Sequence, residues 1–426
     1  MAIPEDFLHY LWKFRLFDQR NLHTISGDPM VILNVGVHNT DAGPDFQNSL
    51  IKIGDTVWAG TVEIHLQSSD WFRHKHQTDR SYDNVILHVV KEHDQDVFRT
   101  DGSKIPVLSL DELMPKEITD AYLNLIECMD WIPCGRQLAK VDSFYIRNWL
   151  YRVEIERLEQ KAESIGALLS EFKGGWDEAF YLSLATNFGF KTNSIPFEML
   201  ARSLPQHLLD KYKDKPMQIE SLIFGQAGFL DQKHKDDYPR SLRTEYEFLK
   251  KKHGLKCIDN FVWKHMRMRP VNFPTIRLAQ FAALLIRSNH LFSKILAEQE
   301  VVPIINMFHN LPVNNYWTNH YRFDKLTKIR HPGLGQQSIN NILVNTVAVF
   351  LIAYGKQTGS PDHIGRCINL LEKLPPETNA ITERFNDIGV TAENAFFSQS
   401  LIQLKKAYCD EKKCLSCGIG LKLLKI

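Results

Sequence analysis

The residues best placed to do chemistry are two acids: Asp45, in Ala42-Gly43-Pro44-Asp45-Phe46, and Glu63, in Val62-Glu63-Ile64-His65. The runs Asn48 to Ile53 and Val57 to Leu66 read as strands flanking the turn signal Gly54-Asp55. A two-residue turn there pairs Glu63 with Phe46, whereas a loop centred on Gly54 sets Asp45 opposite Glu63. In either register the carboxylates meet across the ladder, where opposed side chains sit about 5 Å apart. Like charges that close destabilise a sheet unless a cation lies between them. Mg²⁺ or Mn²⁺ held by Asp45, Glu63 and the carbonyl of Ile64 would answer that repulsion. Glu63 and His65 are i and i+2 on one strand and share a face, so His65 is expected to position a water or accept its proton. The alternative is Asp45 capping the turn after Pro44, with Glu63 facing solvent.

A histidine-rich stretch follows: Asp70-Trp71-Phe72-Arg73-His74-Lys75-His76, then Asp79, Tyr82 and His88. His74 and His76 are spaced to chelate from an extended loop, and with Asp79 they form an N/N/O set suited to Zn²⁺ or Mn²⁺. The same segment can be read as a nucleic-acid contact, with Arg73, His74 and Lys75 on phosphate and Trp71 stacked on a base. In the blandest reading His88 is a core histidine and the loop histidines are simply exposed.

Cys409, Cys414 and Cys417 form a C-x4-C-x2-C triplet followed by Gly418-Ile419-Gly420, and Cys134 stands far upstream. Four thiolates would suit Zn²⁺ or an iron–sulfur cluster; unrelated buried thiols are the alternative. Between Phe261 and His290 lie Lys264, Arg267, Arg269, Arg277 and Arg287 without one acid. Arg267 and Arg269 are the candidates to track a phosphate backbone, unless such arginines pin helices together through buried partners.

These residues must be carried by an α+β chain. Phe7, Leu11 and Phe14 predict a helix over residues 4 to 18. Strand-like runs follow at 31–37, 48–53, 57–66, 84–90, 97–100 and 104–110, with Asp101-Gly102 as a tight-hairpin dipeptide. From about residue 142 helical periodicity dominates. Helices are expected at 142–171, 176–187, 218–229, 241–253, 275–299, 338–354 and 392–406. The expected organisation is a mixed α/β module at 1–135 followed by a mostly α-helical region at 136–426.

The 426 residues hold 51 Lys+Arg and 50 Asp+Glu, a net charge of +1, so nucleic-acid affinity must come from a local patch. This composition excludes a disordered or strongly basic tail. Glu5 and Asp6 interrupt the first apolar run, which lacks signal-peptide features. The run Thr346 to Tyr354 is about half of the ~20 residues that span a bilayer, so no membrane association is expected. Seven cysteines, an odd and sparse set, fit a reduced cytoplasmic protein.

Pro44-Asp45 followed by Glu63-Ile64-His65 resembles the signature of the PD-(D/E)XK nuclease superfamily, a Pro-Asp opening one strand and Glu-x-Lys on its antiparallel neighbour. The resemblance implies an initial helix before the sheet, metal-binding roles for Asp45 and Glu63, and DNA or RNA as partner. His65 replaces the lysine that helps place and activate the attacking water. Some members surround an iron–sulfur cluster with one early and three late cysteines, but here Cys134 follows the acidic hairpin instead of preceding it. LWKFRLFD, NTDAGPDF, VEIHLQSSDWFRHKH, YDNVILHVV, RMRPVNFPTIRLAQ and CLSCGIG together resemble a bacterial family known as a domain of unknown function, spread over nearly the whole chain. That resemblance implies one architecture for both ends of the chain and no activity. The expectations are therefore a metal-dependent nuclease-like protein, a nucleic-acid-binding or scaffold protein on a degenerate nuclease core, or a zinc hydrolase using His74, His76 and Asp79.

Overall fold

A computed structural model describes residues 3–266, 268–288, 290–328 and 332–424. Arg267 therefore lies outside the described residues. The chain divides into two compact units, one formed by residues 1–149, 387–389 and 403–426, the other by residues 150–386 and 390–402.

The first unit is built on a mixed sheet. Helix α1 (Glu5–Phe14) buries Phe7, Leu8, Tyr10, Leu11 and Trp12 along one stripe. It stops four residues earlier than its periodicity predicts, because Arg15 turns left-handed at φ 53 and its N–H caps the Leu11 and Trp12 carbonyls. Then come β1 (Met30–Asn34), β2 (Val37–His38), β3 (Phe46–Ile53), β4 (Thr56–Gln67), the short helix α2 (Asp70–Arg73), β5 (Val85–Glu92) and β6 (Val107–Ser109). The sheet order is β1-β3-β4-β5-β6, with β2 beside β3. β1, β3 and β4 are antiparallel, whereas β4, β5 and β6 run parallel. The sequence of β5, VILHVV, is buried without alternation, as a strand covered on both faces requires. The expected strand at 97–100 is reduced to a single bridge between Phe98 and Lys104. Within that segment the Arg99 guanidinium reaches back to the carbonyl of Val85.

The turn at Gly54-Asp55 takes the two-residue form, pairing Ile53 with Thr56 and Leu50 with Ala59. The register then slips between Ser49 and Phe46, so that Phe46 faces Val62 and not Glu63. Asn48, at φ 58, absorbs the extra residue, a left-handed position that asparagine tolerates better than most residues. β4 slips a second time, against β5, between Thr61 and Val62. That slip sets Glu63 beside His88.

In the second unit the expected helices form, several with shifted ends: Trp176–Phe188, Pro216–Gln226 and Asp237–His253. The helix expected over 275–299 is two, Pro274–Arg287 and Leu291–Ala297, and His290 ahead of the second sits at φ 49. Residues 336–358 are long and apolar enough to cross a membrane, and 72% of an 18-residue apolar window within them is buried inside the protein. Arg277 is buried, stacked 4.3 Å from the Phe190 ring centroid and bonded to Asn272, Gln280 and Ser338. It acts as a helix pin, out of reach of a phosphate. Arg269 is exposed.

The close passage of β4 over the start of β5 depends on Gly60, where a Cβ would lie 2.4 Å from Ile86 Cγ2 and 2.5 Å from the Asn84 carbonyl oxygen. We expect Gly60→Ala to lower stability by about 1–3 kcal/mol, read as an earlier urea midpoint of the full chain. An unchanged midpoint would show that the strands part there without cost.

Candidate metal centre

The slips in β3 and β4 bring the predicted acids together through their backbones. The Asp45 N–H donates to Glu63 Oε2 at 3.2 Å, and the Ile64 N–H donates to Asp45 Oδ2 at 2.9 Å. Each carboxylate is thus fixed by an amide at the other's position on the facing strand. Asp45 Oδ2 also lies 3.3 Å from Nε2 of His9 on α1. Burial works against charge on His9, but the bond to Asp45 and its negative charge raise the imidazole above its ordinary value.

Glu63, His65 and His88 occupy one face of β4 and β5, and the chain after β4 covers it. Ser69 precedes α2, whose four residues carry Trp71 and Arg73; His74 caps that helix, and Lys75 at φ 63 reverses the chain to deliver His76. The ring nitrogens of His65, His74 and His76 reach within 4.8 Å of one another. His74 Nδ1 is 3.1 Å from His65 Nε2. Glu63 Oε1 lies 3.3 Å from His76 Nε2 and 3.5 Å from His65 Nε2. Tyr82 stacks on the outer face of His76 with 3.7 Å between ring centroids.

This arrangement is buried on one side and open on the other. His65 is 1% exposed and Glu63 4%, whereas His74 is exposed. Burial, and then the neighbouring His88, His74 and His76, push His65 down to about 2, so the ring is neutral at any physiological pH. Burial, and then Asp45, push Glu63 up to about 9. The neutral His65 ring, with His74 and His76 converging on it beside the Glu63 carboxyl, is a donor set suited to a divalent cation. Three imidazole nitrogens, with the Glu63 carboxyl beside two of them, suit Zn²⁺ or Mn²⁺ better than the all-oxygen Mg²⁺ arrangement.

His88 is fully buried, with its Nε2 2.9 Å from His65 Nδ1. A metal on His65 Nε2 leaves the His65 proton on Nδ1, donated to His88; this is the outer-shell bond that orients a metal-ligating imidazole. His88 Nδ1 then carries hydrogen and has no hydrogen-bond partner among the described residues, a cost of about 1–3 kcal/mol.

The remaining predicted site residues lie elsewhere. Asp79 Oδ1 accepts from the N–H and the hydroxyl of Ser81 and caps a turn, outside the convergent group. Trp71 is fully buried, with its indole N–H on the Phe98 carbonyl. No base can stack on it, because its faces are taken by His76, Tyr82 and His88. Arg73 is exposed and ion-paired to Asp70 at 3.0 Å, and Lys75 is exposed. His9 and the orienting role of His88 were missed by the sequence reading. The one signal for His9 was its place on the helix expected to precede the sheet.

A model of a family described as a protein of unknown function matches residues 5–380. No curated protein and no solved structure matches this chain.

Two outcomes follow for the centre. Titrated with Zn²⁺ or Mn²⁺, the full chain should bind one equivalent, His76→Ala should abolish binding, and His88→Gln should weaken it about 10–100-fold, while Asp79→Ala leaves it unchanged. Equal affinity in wild type and His76→Ala, measured by calorimetry, would place the ion elsewhere. The second outcome concerns pH. Between the ordinary 4.5 and about 9, the folded metal-free chain keeps a proton on Glu63 that the unfolded chain has released. Its stabilising contribution is therefore complete at low pH and declines as pH rises, by at most about 1.4 kcal/mol per unit. His65 has the opposite sign, since the unfolded imidazole takes up a proton below 6.5 that the folded ring refuses, so its penalty grows only as pH falls. From pH 7 to 9 the metal-free protein should lose stability, and Glu63→Gln should flatten the slope; identical slopes would contradict a neutral Glu63.

Proposed function

The chain belongs to the DUF2851 family of unknown function, and we propose that its first unit is a divalent-metal-dependent hydrolase acting on nucleic acid phosphodiesters. The observation that carries this reading is the convergence of His65, His74 and His76 within 4.8 Å, beside a Glu63 carboxyl 3.3 Å from His76. Support for a phosphodiester substrate comes from the resemblance of Pro44-Asp45 and Glu63-Ile64-His65 to the PD-(D/E)XK nuclease pattern. A helix before the sheet and an antiparallel hairpin carrying both acids agree with it. Exposed Arg73 and Lys75 flank exposed His74, where two positive charges would meet a phosphate. Seven unpaired thiols fit a reduced, cytoplasmic setting.

A Zn²⁺ or Mn²⁺ ion here would supply a Lewis acid for the phosphoryl oxygen and lower the pKa of an attacking water. His65, His74 and His76 would hold the ion, with the Glu63 carboxyl beside His65 and His76, and His88 would keep the His65 lone pair aimed at it. Asp45, steadied by the Ile64 amide and beside His9, accepts the water's proton as the oxygen attacks phosphorus. The bond from phosphorus to the leaving sugar oxygen breaks, and that oxygen takes a proton from solvent. Arg73 and Lys75 neutralise the phosphate without taking part in bond making.

A second reading, a nucleic-acid-binding protein on a core that has lost catalysis, is favoured by His65 standing where the nuclease pattern has lysine. One experiment separates the two. With Mn²⁺ or Zn²⁺, the full chain should cut plasmid, single-stranded DNA or RNA, His65→Ala and Asp45→Ala should lower kcat about 100-fold or more, and Lys75→Ala should raise KM with kcat unchanged. Retarded nucleic acid whose binding falls with salt, with no cleavage under any divalent metal, would leave the second reading standing. Neither cleavage nor retardation would remove nucleic acid from both.

A further inference from the structure

The helices of the second unit surround a cavity of about 530 Å³, and every residue that lines it belongs to that unit. Cavities of about 300–1,000 Å³ are the size of small-molecule sites. The floor is apolar and buried: Ile165 comes from the helix Ser143–Glu171, Leu182 from Trp176–Phe188, and Val349 and Phe350 from Ala348–Thr358. Phe350 continues inward as an aromatic cluster, edge-on to Phe180 and Phe292 with 5.1 and 5.4 Å between ring centroids. Exposed Ser164 stands at the mouth.

Two stretches of unusual backbone build the rest of the wall. Leu343–Val347 form a π-helical turn inside the otherwise α-helical run from Gln336 to Thr358. A single wide turn of this kind is a frequent feature of functional sites, and here it carries Asn345 on the cavity wall. Both neighbouring helices hold the turn. Lys161 donates to Asn345 Oδ1 at 2.8 Å, and Asn187 donates to Thr346 Oγ1 at 2.9 Å. The second stretch is Phe190, at φ 48. A bulky residue keeps a left-handed backbone only where its surroundings fix it. Arg277 covers one face of the Phe190 ring at 4.3 Å, and the ring also lines the cavity.

Charge around Asn345 is predominantly positive. Its Oδ1 also accepts from Arg157 Nη2 at 3.4 Å, so two cations meet one neutral oxygen. Arg157 has Glu154 at 2.8 Å, but burial pushes that carboxyl up to about 8, which limits the charge it returns. The acid on the wall, Glu198, accepts from Arg202 Nε at 2.9 Å, and this pairing offsets its charge. A carboxylate drawn to Lys161 brings a full negative charge where the Asn345 amide offers a dipole. Phe190 and Phe350 on the wall favour an aromatic body beside that carboxylate. Ser183 and Ser194 add hydroxyls that have no hydrogen bond among the described residues and are free to bond a polar substituent. We propose that the second unit binds a small aromatic carboxylate in this cavity, with its carboxylate on Lys161 and its ring against Phe190 and Phe350. The charge of Arg157 adds to the attraction without lining the cavity.

The test titrates the full chain by calorimetry with naphthoate and with its neutral counterpart naphthamide, with and without a metal chelator. The expected result is one equivalent of naphthoate per chain, bound at least about tenfold more tightly than the amide. Lys161→Met should weaken naphthoate by about the same factor and leave naphthamide unchanged. Ser194→Trp, which fills the cavity from its wall, should abolish binding of both while keeping the helical circular dichroism of the wild type. Equal affinity for naphthoate and naphthamide would overturn recognition of the charge by Lys161. Naphthoate binding that vanishes with the chelator would move the ligand to a metal ion and overturn the cavity as its site. Several equivalents per chain, untouched by Ser194→Trp, would overturn it in favour of adsorption on the surface. Absence of saturable binding would overturn the site altogether. Should Ser194→Trp fail to fold, the wild-type preference for the anion and its loss in Lys161→Met still decide.

Discussion

Two strands exchange an amide for a carboxylate at the heart of the first unit, and the candidate centre depends on that exchange. The Asp45 N–H holds Glu63, and the Ile64 N–H holds Asp45. Each bond orients an acid that would otherwise swing away from its like-charged neighbour. The exchange needs the slipped register that Asn48 permits at φ 58; unslipped, Phe46 would stand opposite Glu63. A single residue in a left-handed conformation thus sets Asp45, and not Phe46, opposite Glu63.

Around this pair the protein arranges a consistent electrostatic problem. Burial strips Glu63 of the solvent that would stabilise its charge, and Asp45 opposes ionisation further. The same burial keeps His65 neutral, with His88, His74 and His76 adding to the effect. Burial outweighs the Asp45 amide and His9, which favour the Glu63 carboxylate, and a bound cation would add to their side. His88, buried inside β5, shows how far the arrangement extends: it faces the ring of His65 and leaves its own Nδ1 without a partner among the described residues. A buried polar atom tolerated in this way is commonly a cost accepted for positioning a neighbour.

The second unit handles buried charge by pairing it internally. Glu154 and Arg157 face each other at 2.8 Å with almost no exposure, yet burial still pushes Glu154 up to about 8. Arg277 bonds neutral partners through its terminal nitrogens and stacks on an aromatic face, although its buried Nε has no hydrogen-bond partner among the described residues. These groups, like Glu63, are buried and held by partners that the chain itself supplies. Polar burial there serves packing, and in the first unit it leaves donor atoms converging on one point.

Much of this was legible in local pattern. Period-2 and period-3.6 apolar spacing marked the sheet and most helices, because burial of a face is a property of neighbours in sequence. Asp45, Glu63 and His65 were visible for the same reason, since a short turn leaves a hairpin only two registers. Trp71 was not legible as core, because a lone aromatic beside basic residues reads equally as a stacking platform, and only the layer formed by Val85, Val90 and Val97 encloses it. His9 and His88 come from a helix and a strand whose distance to β4 no spacing rule encodes. Sequence by itself determined which residue types were available and which lay on a common face. Tertiary structure decided which faces meet, because contacts between distant segments are set by packing of the whole core.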